Sequence, residues 1–326
     1  MTDESKILTA PVEVKPVAPP ESRRKVAVVG EILFSGIALA RELLDRGISV
    51  RALCPNEAVE QAVRQNVTQS SDPAAPTIEV IRGDLDSPQA VAAVVTGAYG
   101  VVFLSPITLT GRADRAETHV EDVRRVVNAA QNTAVRKLVY HSALGAHPKS
   151  ASSALRAAAE AEMLVQMCQC EDFCVRTGLL MGPHDGFLTD ILRKARVSSL
   201  FMGIMGYGGT VLQPLHVRDM ARCCVSFFLP HEENIQPGIY CLAGPETITV
   251  LDLVDMTLAR VGRVKLKFHA PLFVLKLLTL ICKGGAFEER VNLLFDVFCT
   301  EHNDAMKLLG ADQKLLTVLQ TQKEII

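Results

Sequence analysis

Three groups of residues in this chain have types and spacings that could do chemistry. The first is GEILFSG, Gly30 to Gly36, which follows the apolar run KVAVVG and opens an amphipathic stretch. A strand that ends in a glycine turn and runs into a helix aims backbone N–H groups and the positive end of the helix dipole at an anion. Phosphate binding is one use of such a corner, and a strand–turn–helix joint kept for folding alone is the other. The second group is Gly83-Asp84-Leu85, which places a carboxylate just after another apolar run. The third is Cys168, Cys170 and Cys174, the densest of nine cysteines. These three fall across a helix end and the following strand, a poor geometry for zinc. Buried free thiols in a reducing intracellular compartment are expected instead.

Such residues need elements to position them. The hydrophobic pattern predicts strands over 25–30, 48–54, 77–81, 100–104, 137–141 and 172–176. Helices are predicted over 35–46, 88–96, 116–131 and 152–168, and the stretch after Cys54 reads as a polar segment rich in Gln, Ser and Asn. Strand–helix alternation with apolar strands implies right-handed crossovers and an α/β fold, a Rossmann-type doubly wound parallel sheet over 25–178. From 179 to 326 the pattern loosens into a smaller, mainly helical C-terminal substrate lobe, intertwined with the core. Residues 1–24, with Pro11, Pro16, Pro19, Pro20 and mixed charges, are expected to be a flexible tail. Asp3 and Glu4 and the lack of an apolar targeting core argue against an ordinary import or secretion signal.

Composition narrows the partners. Lys+Arg is 34 against 36 Asp+Glu, a formal charge of −2, so no broad electrostatic footprint for nucleic acid exists. Hydrophobic residues reach 48% while aromatics are only 5% and Trp is absent, an aliphatic bias that suits buried parallel strands. The longest apolar run is PLFVLKLLTLIC over 271–282, interrupted by Lys276 and too short to span a bilayer. A helix apolar on all sides is buried in its own lobe, docked on a partner or laid on a membrane interface. Burial within the smaller lobe is the first reading and a protein partner through 271–282 the second, with no nucleic acid and no transmembrane span expected.

The order of local motifs adds a resemblance. GEILFSG, Gly83-Asp84-Leu85, VEDVRRVVNAAQ (120–131), HSALGA (141–146), RTGLLMGP (176–183), QPLHVRDM (213–220) and YCLAGPETIT (240–249) follow one another. In this order they resemble an atypical, extended short-chain dehydrogenase/reductase of the NmrA-like group. They also resemble the nucleotide-binding accessory subunit of respiratory complex I. The resemblance covers roughly residues 25–285 and implies NAD(P)(H) as cofactor. It places Gly30, Leu33, Phe34, Gly36, Asn56, Asp84, Leu85, Ser105 and Pro106 in cofactor-binding positions.

The chain departs from that pattern where the chemistry is done. Relatives carry G-x-x-G-x-x-G, but Leu33 stands at the middle glycine, and Glu31 adds a negative charge beside the phosphate site. The second strand ends in Cys54-Pro55-Asn56, which leaves Asn56 for a ribose and no clear cation for a 2′-phosphate, Arg51 lying within the strand. Dinucleotide binding is thus either intact, or weak or lost. Short-chain reductases also place a Tyr four residues before a Lys, which lowers the phenol pKa for proton exchange. Their helix reads S-x-Y-x-R-x-K-x-E-x-E, where this chain reads SSALRAAAEAE over 152–162. Arg156, Glu160 and Glu162 keep register, but Ala154 and Ala158 replace Tyr and Lys. The serine at the end of the fifth strand is Ser142, one residue short of the catalytic position, which holds Ala143.

The resemblance therefore implies a degenerate member with a structural, assembly or redox-sensing role, cytoplasmic or mitochondrial. The alternative is an active NAD(P)H-dependent reductase or epimerase with its proton donor relocated to Tyr207, His184 or His216. Asp219 is expected to cap the helix that follows it, and metal ligands are not expected.

Overall fold

A computed structural model describes residues 24–67, 72, 75–105, 116–133, 135–183, 185–197, 200–229, 235–281, 288, 291–292, 298–310 and 314–325. Residues 1–23 of the expected tail, Pro106, His184 and Cys282 lie outside them.

Seven parallel strands form the main sheet. They are β1 (Lys25–Gly30), β2 (Ser49–Cys54), β3 (Ile78–Arg82), β4 (Gly100–Leu104), β5 (Lys137–Ala143), β6 (Glu171–Thr177) and, from late in the chain, β11 (Gly238–Leu242). Their spatial order is β11-β6-β5-β4-β1-β2-β3. The order reverses between β1 and β4, where Val26 pairs with Gly100 and Gly30 with Leu104. A crevice opens at the carboxyl ends of the strands at such a switch point. The strands are built from Val, Ile, Leu and Phe because both faces are covered. α1 (Ile37–Asp45) and α7 (Val217–Ser226) cover one face with Leu39, Leu43 and Met220. α3 (Pro88–Val95), α4 (Ala116–Asn132) and α5 (Ser153–Gln166) cover the other with Val94, Val123, Ala161 and Val165. Each such buried Val, Leu or Met side chain contributes ~1.5–3 kcal/mol.

The polar segment after Cys54 is a helix, α2 (Glu57–Asn66). Asn56 starts it by accepting from the Val59 N–H at 3.0 Å. Val59, Val63 and Val67 line one side at a four-residue spacing that the surrounding Gln and Glu obscure.

Beyond β6 the remaining strands pair two by two. β7 (Leu180–Met181) pairs with β10 (Leu215–His216), and β9 (Val211–Leu212) with β12 (Ile248–Thr249). β8 (Phe201–Met205) runs parallel to β13 (Leu266–Ala270). α6 (Gly186–Arg196), α8 (Val250–Arg260) and α9 (Leu272–Ile281) complete this part, and Leu188, Ile191, Leu253 and Leu258 form its own core.

Two expectations are corrected here. Cys168 and Cys170 are not free thiols: they sit two residues apart in the turn between α5 and β6, with Cα atoms 5.3 Å apart, and form a disulfide. Asp219 does not cap α7. His216 is the cap, its Nδ1 accepting from the Arg218 N–H at 3.1 Å. Asp219, in the first turn of α7 and fully buried, instead accepts from the Leu316 N–H at 2.7 Å and from Arg222 at 2.8 Å. It thereby ties the C-terminal segment to the core.

Candidate functional site

The carboxyl ends of β1, β2 and β3 and the first turns after them enclose a cavity of about 700 Å³. Gly30 makes the turn out of β1 at φ +98°, and a Cβ there would collide with the Leu104 carbonyl. No other residue type fits both conditions. A wide π-type turn over Ile32–Gly36 then leads into α1. Gly36 is also closely packed, since a Cβ would lie 2.8 Å from Ile32 Cδ1 and 3.0 Å from the Glu31 carbonyl.

The N-terminus of this helical turn is already filled. Glu31 folds its carboxylate back, accepting from the Phe34 N–H at 2.8 Å and from the Ser35 N–H and Oγ–H, each at 2.6 Å. These amides point where an anion would bind, so a side-chain carboxylate of this protein holds the position of a phosphate. Leu33 projects beside it, 44% exposed, and lines the cavity.

Of the residues expected to hold a cofactor, Gly30, Leu33, Asn56, Asp84 and Leu85 are brought together in the cavity wall. Gly36 stands behind the turn. The Phe34 ring packs against Gly182, where a Cβ would lie 3.3 Å from it. Ser105 is buried at the end of β4 and hydrogen-bonds to the Tyr140 phenol. Asn56 spends its Oδ1 on the α2 cap and keeps Nδ2 as a donor. Glu31, Asp84, Asp86 and Asp122 give the wall four carboxyl groups, and among the described residues no Lys or Arg lines it. Arg125 lies just behind, bonded to Asp122 at 2.7 Å and to the Leu85 carbonyl at 3.3 Å.

The helix face that carries acid–base groups in short-chain reductases is apolar. Ala154 packs with Ala116 and Val120, and Ala158 with Ala146 and Ala159. Ser142 is buried and donates to Glu162 Oε1 at 2.6 Å. Glu162 in turn accepts Arg176 in a bidentate pair, 2.8 Å to Nε and 2.6 Å to Nη2. The Ser142 hydroxyl is thus engaged in a buried network. Arg156 turns back to the Ser150 and Ala151 carbonyls at 2.6 and 3.0 Å. Among the proposed relocated donors, Tyr207 is exposed and stacks on His269, and His216 bonds Glu324 at 3.2 Å. Neither lines the cavity.

Sequence reasoning passed over His119 and Tyr140 as partners. Their Nε2 and hydroxyl meet at 2.7 Å, fully buried, in contact with Phe103. A His in the first turns of the helix after β4, facing a Tyr within β5, was the available signal. Burial lowers His119 to about 4 and pushes the Tyr140 phenol well above its ordinary value, so both stay neutral. Burial also raises Cys54 to about 11 and Cys224 to about 12, which leaves these thiols unreactive.

Sheet order, switch-point crevice and glycine turn define a doubly wound, Rossmann-type fold. Residues 34–186 match the NAD(P)H-binding family model. Curated relatives include NADH dehydrogenase (ubiquinone) 1 alpha subcomplex subunit 9, mitochondrial. The mouse protein is 24% identical over 165 residues, 51% of this chain and 43% of its own length. The Arabidopsis thaliana protein is 27% identical over 173 residues, 53% and 42%. The match thus spans less than half of each of these relatives. Among solved structures, the Citrobacter sp. triphenylmethane reductase complexed with NADP(H) superposes with a TM-score of 0.66 at 15% identity, covering 93% of this chain and 100% of that one. At that identity the likeness shows the fold alone.

An NAD(P)(H) molecule fits this crevice only in part. On the β2–β3 side, Pro55, Asn56, Asp84 and Leu85 line the space an adenosine would take, with the Asn56 amide available as a donor. The pyrophosphate end does not fit: Glu31 fills its amides, Leu33 lines its path, and among the described residues no Lys or Arg lines the wall to balance its charge.

Proposed function

We propose that this protein is a catalytically degenerate member of the NAD(P)H-binding family that binds the dinucleotide weakly and serves a structural, assembly or redox-sensing role. The face of α5 carries the proposal. Hydride transfer to a carbonyl needs a proton donor beside the nicotinamide, and the Tyr and Lys positions hold the buried Ala154 and Ala158. Neither side chain can donate or accept a proton. The Glu31 carboxylate supports weak binding, because a phosphate must displace it and meet its charge. Likeness to subunits named for a mitochondrial NADH dehydrogenase supports an assembly role in that compartment, and α9 offers the contact. Phe273 and Leu277 on that helix are exposed.

The test is titration of the purified chain with NADH and NADPH by calorimetry, alongside a hydride-transfer assay with a soluble quinone and an aldehyde. Dissociation constants above about 10 μM and no turnover are expected. Steady-state turnover, or binding much tighter than this, would overturn the proposal.

A further inference from the structure

The chain has a near-neutral total charge but an uneven distribution of it. Residues 191–211 and 256–270 hold seven Lys and Arg and no Asp or Glu. The fold brings these two segments together. β8 and β13 pair in parallel, Leu266 opposite Phe201 and Phe268 opposite Gly203. Their entry loops are clipped to one another: the Leu266 N–H donates to the Leu200 carbonyl at 2.9 Å, and Lys265 Nζ donates to the Val197 carbonyl at 2.8 Å.

One face of this ribbon is apolar and open. Alternate residues of a strand share a face. Leu266 and Phe268 are therefore on one side, together with Phe201, the cross-strand neighbour of Leu266. All three are more than half exposed, and Val264, two residues before Leu266, is 93% exposed. Val197 and Leu200 extend the same end. Around it stands a basic collar from the last turns of α6 and α8 and the loop after α8. Arg196, Arg260 and Arg263 are exposed and make no ion pair among the described residues. Arg193 and Lys194 share Asp190, and Lys267 meets Asp255.

We propose that this tip docks on an anionic bilayer surface. Apolar side chains projecting from a short ribbon enter the headgroup boundary, while arginines around them meet lipid phosphates. The charge complementarity selects this occupant over an uncharged protein groove, because the collar carries unpaired positive charge next to the apolar face. No helix among the described residues is long and apolar enough to cross a membrane, so attachment here would be peripheral. None of these residues lines the nucleotide crevice.

The experiment is co-sedimentation of the full chain with vesicles of phosphatidylcholine alone or mixed with phosphatidylglycerol. Binding to the mixed vesicles and not to the neutral ones is expected. The pair Phe201→Ser and Phe268→Ser should weaken it by at least about tenfold, and the pair Arg260→Gln and Arg263→Gln by about fivefold per charge. These surface changes should leave the thermal midpoint within about 2 °C of the parent. Failure to bind mixed vesicles would overturn the proposal. So would vesicle binding insensitive to both pairs, or an oligomer, seen by analytical ultracentrifugation, that the phenylalanine pair dissolves without any change in vesicle binding.

Discussion

Lowering the pH from about 7 towards 5 offers protons to two rings that this fold keeps neutral. His119 Nε2 meets the Tyr140 hydroxyl at 2.7 Å, and His141 Nε2 meets Thr177 Oγ1 at 2.7 Å. Both rings are buried, and neither Nδ1 has a partner. Burial lowers each from 6.5 to about 4. The unfolded chain therefore binds two protons near pH 6.5 that the folded chain refuses until about pH 4. Stability is complete above pH 6.5 and falls as the pH drops through that window. At ~1.4 kcal/mol per pH unit, each ring accounts for ~3 kcal/mol and the pair for ~7, a large share of a domain's ~5–15 kcal/mol. His216 adds the same sign, lowered by burial against the opposing pull of Glu324. Carboxyl groups held low by cations, Glu60 and Glu79, act below 4.5, and those raised by burial, Asp172 and Asp185, act with the opposite sign. Urea unfolding between about pH 7.5 and 5 should thus show stability falling by ~2 kcal/mol per unit near pH 5.5. The double variant His119→Gln and His141→Gln keeps a neutral hydrogen-bonding side chain at each site and should flatten that slope. A flat profile in the parent, or the same slope in the variant, would refute the reasoning.

Three other outcomes are expected. Glu162→Gln leaves the Arg176 guanidinium beside a neutral amide in a partly buried site and should cost ~3 kcal/mol, read as a lowered urea midpoint at unchanged slope. Gly30→Ala meets both the positive φ and the Leu104 carbonyl, so a loss above ~3 kcal/mol or failure to fold is expected, checked by circular dichroism of the purified variant. Glu31→Ala removes a cap at ~1 kcal/mol yet frees the Phe34 and Ser35 amides, so NADH affinity by calorimetry should rise, further so when combined with Leu33→Gly.

The sheet was legible because its strands are short apolar runs with glycine stops, and β1, β4 and β5 fall within two residues of their expected limits. The crevice position followed from the same pattern, since Gly30, Asn56 and Asp84 each end or follow a strand. What escaped was decided by side-chain geometry. The charge on Glu31 was visible, but its folding back onto Phe34 and Ser35 depends on the wide turn that Leu33 occupies. The Cys168–Cys170 bridge depends on a turn that brings two nearby thiols together, with no C-x-x-C spacing to announce it. Ser142 and Glu162 were each singled out and Arg176 opens the RTGLLMGP motif, but only the pleat of β5 and β6 under α5 shows that they form one cluster. α2 was hidden because three valines among Gln and Glu carry too little contrast for a periodic signal.

β11 takes its place beside β6 only after some sixty residues of the smaller lobe have been made, from Gly238 opposite Phe173 to Leu242 opposite Thr177. A growing chain that has just released its first 178 residues from the ribosome therefore presents β6 as an open edge, with unpaired amides along its length. Such an edge invites pairing with another nascent chain until the late strand arrives. Asp304 secures that arrival, accepting from the Cys241 N–H at 3.0 Å while its own N–H donates to the Cys241 carbonyl at 2.8 Å. Translation speed through the lobe, and any chaperone that shields β6 in the interval, should then govern how much of this protein reaches its folded form in the cell.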